Sequence, residues 1–289
     1  MNTSLENDSL KVEVSSLGAE LQSILGKSDQ LEYLWQGDAT HWARRSPVLF
    51  PIVGRLEDDG FKFKNEEYSL GQHGFARNKE FNLIEKTSEK LVFELTEDKE
   101  TLEVYPFPFT FRLVYRLVEN RLTLNYEVQN TGNEELLFSI GAHPAFNCPM
   151  LANEKRSDYF LTFNENESAE RQLIDAGIRS GAKELVLDQA DTIHVAEDLF
   201  ERDALIFDQL NSDQIVLRSE TREFVTVKFK GFKYLGIWSK SATSPFVCIE
   251  PWLGIADHKD HSRDLSQKEG IISLAANETH SSEFEMIFS

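Results

Sequence analysis

Apolar and polar residues alternate with a period of two through most of the chain. Residues 109–118 (FTFRLVYRLV) set Phe109, Phe111, Leu113, Tyr115 and Leu117 on one face. Residues 121–128 (RLTLNYEV) set Leu122, Leu124, Tyr126 and Val128 against Arg121, Thr123, Asn125 and Glu127. Successive side chains of a strand point to opposite faces, so each run predicts a strand with one buried face. Glu119-Asn120 between them predicts a tight hairpin. Similar alternation recurs at 10–14, 61–70, 81–84, 91–95, 215–217 and 225–229. Helical spacing is scarce, and its best candidates are short, at 38–43 and 197–202. The polar stretch 151–190 is less periodic and predicts long loops over a sheet. Strands this closely spaced predict an all-β protein, a large antiparallel β-sandwich or barrel-like architecture with few short helices.

Composition narrows the class without changing that picture. At 40% hydrophobic and 27% charged residues, the chain has an ordinary globular composition. A chain of this length buries about three quarters of its unfolded surface, ample for an unaided core. No repeat, low-complexity tract or Pro/Ser-rich linker divides it, and one domain over 1–289 is expected. The formal net charge of −19 argues against a nucleic-acid partner, because such domains need a basic face to displace counterions from phosphates. No stretch approaches the ~18 consecutive apolar residues of a membrane span. The first residues, MNTSLENDSLKVEV, have neither the basic nor the apolar region of a signal peptide. Cys148 and Cys248 are the two cysteines, and a fold of this size does not need a disulfide. A cytoplasmic protein with reduced thiols is expected.

Common nucleotide and nucleophile signatures are absent: no P-loop, no GxGxxG after a strand, no GxSxG elbow. Without a CxxC pair, no structural zinc site is expected. Candidate chemistry lies in four segments. SPVLFPIVGR (46–55) ends an apolar run in Arg55, which fits a strand-end ion pair or a ligand anchor equally. QHGFAR (72–77) offers His73 beside a glycine that permits close backbone approach. IGAHPAF (140–146) holds His143 before a proline, which biases it to an extended conformation. Histidine exchanges protons near neutral pH, yet a buried structural role is open to both residues. VCIEPW (247–252) places Cys248 and Glu250 on one face of an apolar strand. A carboxylate there is costly unless paired or functional, and Trp252 beside it is a flat plate of the kind sugars stack on. Asp257-His258-Lys259-Asp260-His261 has metal-ligand residue types, but its polar context reads as a solvated loop.

Together these segments resemble the aldose 1-epimerase (galactose mutarotase-like) superfamily, specifically its LacX-like branch. The matching pieces are Leu17-Gly18-Ala19-Glu20-Leu21 after an N-terminal strand, SPVLFPIVGRL (46–56), HGFAR (73–77), GAHPAF (141–146) and IEPW (249–252). They stand in the family's order over most of the chain. The resemblance implies a large β-sandwich with a sugar-binding cleft on one sheet. It implies interconversion of the α and β anomers of a hexose by acid–base ring opening and closure, with no cofactor and no metal. Glu250 then matches the family's base, His143 the acid serving the ring oxygen, and His73 the histidine that orients the sugar. Arg55 matches the substrate-contacting arginine. Asp203, ahead of the apolar run 204–207, matches best an aspartate that contacts sugar hydroxyls, with Asp208 and Asp213 as rivals.

A base and an acid at one anomeric centre must hold opposite protonation states, which a Glu250 carboxylate and a His143 imidazolium satisfy near pH ~6–7. The same placement predicts that a bulky reagent on Cys248 inhibits. Two other readings stay open: a hexose 6-phosphate as substrate, with Arg44, Arg45 and Arg77 as candidate phosphate partners, and a carbohydrate-binding or sensing protein without useful turnover. Oligomeric state is left open.

Overall fold

The computed structural model describes residues 1–289 and is built almost wholly from antiparallel strands. The largest sheet has nine. In spatial order these are Ile178–His194, Tyr159–Asp175, Gln214–Ser219, Glu223–Lys228, Thr279–Phe288, Arg121–Asn130, Phe109–Val118, Lys90–Thr96 and Asn82–Lys86. Facing it is a five-stranded sheet in which Ile140–Gly141, Phe246–Leu253, Tyr234–Trp238 and Leu205–Phe207 are neighbours. Ala145–Asn147 also pairs with Phe246–Leu253. Smaller sheets form from Asn2–Glu6, Leu10–Ser15 and Leu21–Gly26, from Leu136–Phe138 with Ile272–Leu274, and from Gly60–Phe63 with Glu66–Ser69. No helix is long and apolar enough to cross a membrane.

Period-two patterning explains the sandwich. Phe111, Leu113, Tyr126, Val225 and Phe284 from the large sheet share one core with Leu235, Ile237, Val247 and Ile249 from the smaller one. Each such side chain contributes about 1.5–3 kcal/mol on leaving water. Alternation then sends the other face of the five-stranded sheet, with Cys248, Glu250 and Trp252, away from this core. That second face carries the candidate site.

Four expectations need correction. Residues 38–43 form a turn rather than a helix: the Asp38 carboxylate accepts from the Thr40 backbone N–H and hydroxyl, an arrangement that closes locally without propagating. Residues 197–202 are likewise turns, and the α-helix lies instead at Lys99–Val104, capped by Asp98. The run 61–70 is not one strand but a hairpin turning at Lys64-Asn65, both with left-handed backbone. The stretch 151–190 is mostly strand, not loop. Tyr159–Asp175 and Ile178–His194, 17 residues each, form a long hairpin. Only Tyr159–Phe163 pairs with Gln214–Ser219; beyond it the two strands run as an arm. Its register slips after Thr162, Glu167, Ala169 and Gln172, so the alternation of side chains breaks repeatedly.

Candidate active site

Strand Phe246–Leu253 sets the centre. Glu250 stands opposite Gly236, Trp252 opposite Tyr234, and Cys248 opposite Trp238. A Cβ at Gly236 would lie 2.7 Å from the Trp252 indole, and one at Gly141 2.6 Å from it. These two glycines leave the slot that the indole fills, with its N–H donating to the Ala142 carbonyl at 3.1 Å.

His143 arrives from the loop between two short strands that both pair with this same strand. Ala142 N–H donates to the Pro251 carbonyl and Ile249 N–H to the Pro144 carbonyl, so the loop is fixed on either side of the histidine. The result places His143 Nε2 3.2 Å from Glu250 Oε2. Glu250 is 1% exposed and His143 8%. The contact is close but not aligned as a hydrogen bond, and neither Glu250 Oε2 nor His143 Nδ1 has a partner. Trp42 stacks on the His143 ring at 5.0 Å between centroids, and Trp238 meets it edge-on at 5.7 Å.

His73 lies edge-on to His143 at 5.7 Å. Its φ of 64° is a left-handed conformation that costs a non-glycine residue about 1–2 kcal/mol. Reciprocal bonds to Gly54 hold it there: His73 N–H donates to the Gly54 carbonyl at 2.8 Å, and Gly54 N–H donates to His73 Nδ1 at 3.1 Å. With Nδ1 accepting, the neutral ring carries its proton on Nε2, 3.3 Å from the Gln72 side-chain amide. Gly74 allows the turn, since a Cβ there would sit 2.3 Å from the Phe50 carbonyl oxygen.

These groups open into a cavity of about 260 Å³ whose wall includes Trp42, Gln72, Arg77, Asp203, Trp238 and Trp252. Burial dominates its electrostatics. It pushes His143 down to about 3, with Arg77 and Arg44 adding to the shift, and holds His73 well below the usual histidine range. Burial drives Glu250 well above the carboxylate range, and Asp203 pushes the same way. The favoured forms in this cavity are therefore neutral imidazole and carboxylic acid, a correction to the charged pair expected from sequence.

Of the six residues singled out from sequence, five stand at the cavity: Glu250, His143, His73, Asp203 and Trp252. Asp208 instead accepts from Gln172 and Lys183, and Asp213 from Asn164. Arg55 is not in the wall. Both of its available guanidinium edges are used, one on Asp59 and one on the Ala176 carbonyl. Trp42 and Trp238 were not legible, because a loop and a strand end far apart in sequence bring them here, whereas Gln72 lies in the quoted segment 72–77 beside His73. Arg77 is the arginine at the wall, donating to the Gln72 carbonyl at 2.7 Å while its buried Nε has no partner.

Cys248 does share the face of Glu250, but it is fully buried, and burial raises its thiol well above the usual range. A bulky reagent has no route to it in the native fold. Ligand atoms of His143, Cys248 and Glu250 lie within 4.8 Å of one another, a donor set of the kind zinc accepts. An ion there would occupy the same lone pairs that proton transfer needs, and the thiol would first have to lose a proton that burial retains. The 257–261 segment is not simply solvated: Asp257 is buried, accepting from Lys268 Nζ at 2.8 Å and from Glu57 N–H at 3.0 Å.

Comparison with known proteins agrees with this architecture. The chain is 33% identical to protein LacX of Lactococcus lactis subsp. lactis over 300 residues, covering 99% of each. A galactose mutarotase related enzyme from Lactobacillus acidophilus superposes with a TM-score of 0.96 at 36% identity, covering 100% of this chain and 97% of the other. A galactose mutarotase-like protein from Lactobacillus casei gives 0.94 at 30% identity, with both chains fully covered. The family model for aldose 1-epimerase matches residues 1–262. With its sandwich fold, its motifs and these relatives in agreement, the chain belongs to the aldose 1-epimerase family.

Proposed function

We propose that the protein interconverts the α and β anomers of a hexose, with Glu250 and His143 as the acid–base pair. The observation that carries this reading is the buried, partnerless Glu250 Oε2 lying 3.2 Å from His143 Nε2 beside a cavity walled by tryptophans. Burying a carboxyl oxygen without a hydrogen-bond partner costs about 1–3 kcal/mol, a cost that a structural role would have offset with a hydrogen bond.

The chemistry needs one proton held by two groups. Glu250 as carboxylate takes the proton from the C1 hydroxyl, the C1–O5 bond breaks, and O5 takes the proton from His143. Rotation about C1–C2 turns the carbonyl, and the steps run in reverse on the other face. A carboxylic acid beside an imidazole carries the same single proton as a carboxylate beside an imidazolium. Burial favours the neutral pair; sugar hydroxyls donating to Glu250 stabilise its carboxylate and move the proton to His143. Each group contributes roughly 10²–10⁴-fold. His73, its proton fixed on Nε2, donates to a sugar oxygen. Asp203 accepts from hydroxyls, and the Trp252 indole supplies an apolar plate.

A phosphorylated hexose is favoured by one further observation. Arg77 lies at the wall near the two histidines, with Arg44 bonded to its carbonyl, and neither guanidinium pairs with a carboxylate in a chain of net charge −19. The acid that serves O5 stands near the carbon bearing C6, so a cation beside the histidines faces a C6 substituent. The test is NMR exchange between anomers of glucose, galactose and their 6-phosphates, with wild type and Glu250→Gln. Acceleration abolished by the substitution is expected. Binding without acceleration would replace the enzyme with a sugar sensor, and a preference for the 6-phosphates lost in Arg77→Gln would fix the second substrate class.

A further inference from the structure

The arm formed by Tyr159–Asp175 and Ile178–His194 leaves the sheet after Phe163, yet its tip reaches the cavity, where Ile174 and Gly177 form part of the wall. Its turn residues, Ala176 and Gly177, have φ of 50° and 87°. Two arginines grip this tip. On one side Arg179, buried, donates from its backbone N–H to the Asp257 carbonyl at 2.9 Å and from Nε to the Ala256 carbonyl at 2.8 Å. On the other side Arg55 donates from Nη1 to the Ala176 carbonyl at 2.9 Å. Arg55 is itself set by a two-point pair with Asp59, at 2.7 Å from Nε and 2.6 Å from Nη2. A Cβ on Gly177 would lie 3.1 Å from Arg55 Cδ, so the arginine stem runs directly beneath the turn.

We infer that Arg55 is a positioning residue: with Asp59 as its fixed base, it clasps the hairpin tip against the rest of the cavity wall and acts on the sugar only through that tip. The planar guanidinium suits the task, since one edge binds a carboxylate in a fork while another donor remains for a carbonyl. Up to Gln172 the arm is held down, with Asn211 and Ser212 N–H donating to the Glu167 carboxylate and Gln172 and Lys183 donating to Asp208. The clasp therefore acts on the last turn, which would otherwise open more readily than the strands behind it. The Arg179 side, buried and bonded through backbone, serves as the permanent hinge; the half-exposed Arg55 side is the releasable one.

The inference rests on the sugar-binding reading for its kinetic half but not for its structural half. Amide hydrogen exchange over 172–180 is measured for wild type, Arg55→Met and Asp59→Asn, alongside KM and kcat on the accepted hexose. Both variants are expected to exchange about tenfold faster at the tip, to raise KM by a similar factor, and to change kcat and its pH profile little. The double variant is expected to behave like either single one, because both remove one clasp. Raised KM with unchanged exchange would mean that Arg55 meets the sugar directly and would overturn the inference. Unchanged exchange and unchanged KM would overturn it as well. Faster exchange in a protein that turns over no hexose would leave the clasp standing and remove the proposed activity instead.

Discussion

Two buried carboxylates seven residues apart meet opposite treatment. Asp257, 3% exposed, receives Lys268 Nζ, the Glu57 backbone N–H and the nearby His261 ring. Glu250, 1% exposed, faces a neutral imidazole that is not aligned to bond it, and Oε2 has no partner. Burial alone therefore does not single out a candidate acid. What singles out Glu250 is burial left uncompensated, because a structural site gains nothing by leaving a desolvated oxygen without a partner.

The largest expected effect follows from that contrast. Glu250→Gln should cost about 10²–10⁴-fold in anomer exchange while raising the thermal midpoint by roughly 2–4 °C. The folded state holds Glu250 protonated above the pH at which the unfolded chain releases that proton. Its stability contribution is thus lost as pH rises from about 4.5, and the gain from Gln should grow toward alkaline pH. Thermal scans at pH ~5.5 and ~8 check this; a variant that melts lower at both would make Glu250 structural.

Lys268→Met tests the other half. It leaves Asp257 buried without its cation, which costs about 3–5 kcal/mol, or roughly 10 °C in the midpoint. Activity per folded molecule should change little at temperatures where the variant stays native. A midpoint close to wild type would erase the distinction between the two acids.

Smaller in effect but sharper in diagnosis is the pH profile of kcat/KM. With His143 depressed to about 3 and Glu250 raised, the pair keeps its single proton across mildly acidic pH. Activity should stay level from pH ~5 to ~6.5 and decline on the alkaline side as that proton is lost. A falling limb centred near the ordinary histidine value would show an unshifted His143. His143 also predicts the acid side of stability: its neutral form is held in the fold, so stability fades as pH drops from about 6.5 toward 3. The least effect belongs to Cys248, buried and protonated. A bulky thiol reagent should leave native protein unlabelled and active, and rapid labelling would mean that the Trp42–Trp238 wall opens.

Much of this was readable in sequence where one face of a strand is buried. Strands Phe109–Val118 and Arg121–Asn130 announce themselves because one face meets the core and the other meets water. The arm at 159–194 does not, since it lacks a continuous buried face and its bulges keep resetting the register. The short helix at Lys99–Val104 carried a usable signal, Asp98 with Thr101 in a capping box, which strand periodicity on either side obscured. In the site, Glu250 and His143 stand out because a charged or titratable residue interrupts an apolar run. Trp42 and Trp238 carry no such mark, as an aromatic in a turn or at a strand end reads as ordinary until the fold brings it to the cavity. Arg55 shows the limit of motif transfer: a segment can be matched while its side chain turns to a different neighbour.

Three of the four tryptophans in the chain, Trp42, Trp238 and Trp252, line the same cavity, with His143 against two of them. The molecule thus carries a built-in optical reporter at the place of interest. Its intrinsic emission comes largely from indoles whose surroundings change when water gives way to a ligand or when the imidazole gains charge. Occupancy of the site can therefore be followed by fluorescence on the unlabelled protein, before any substrate has been turned over.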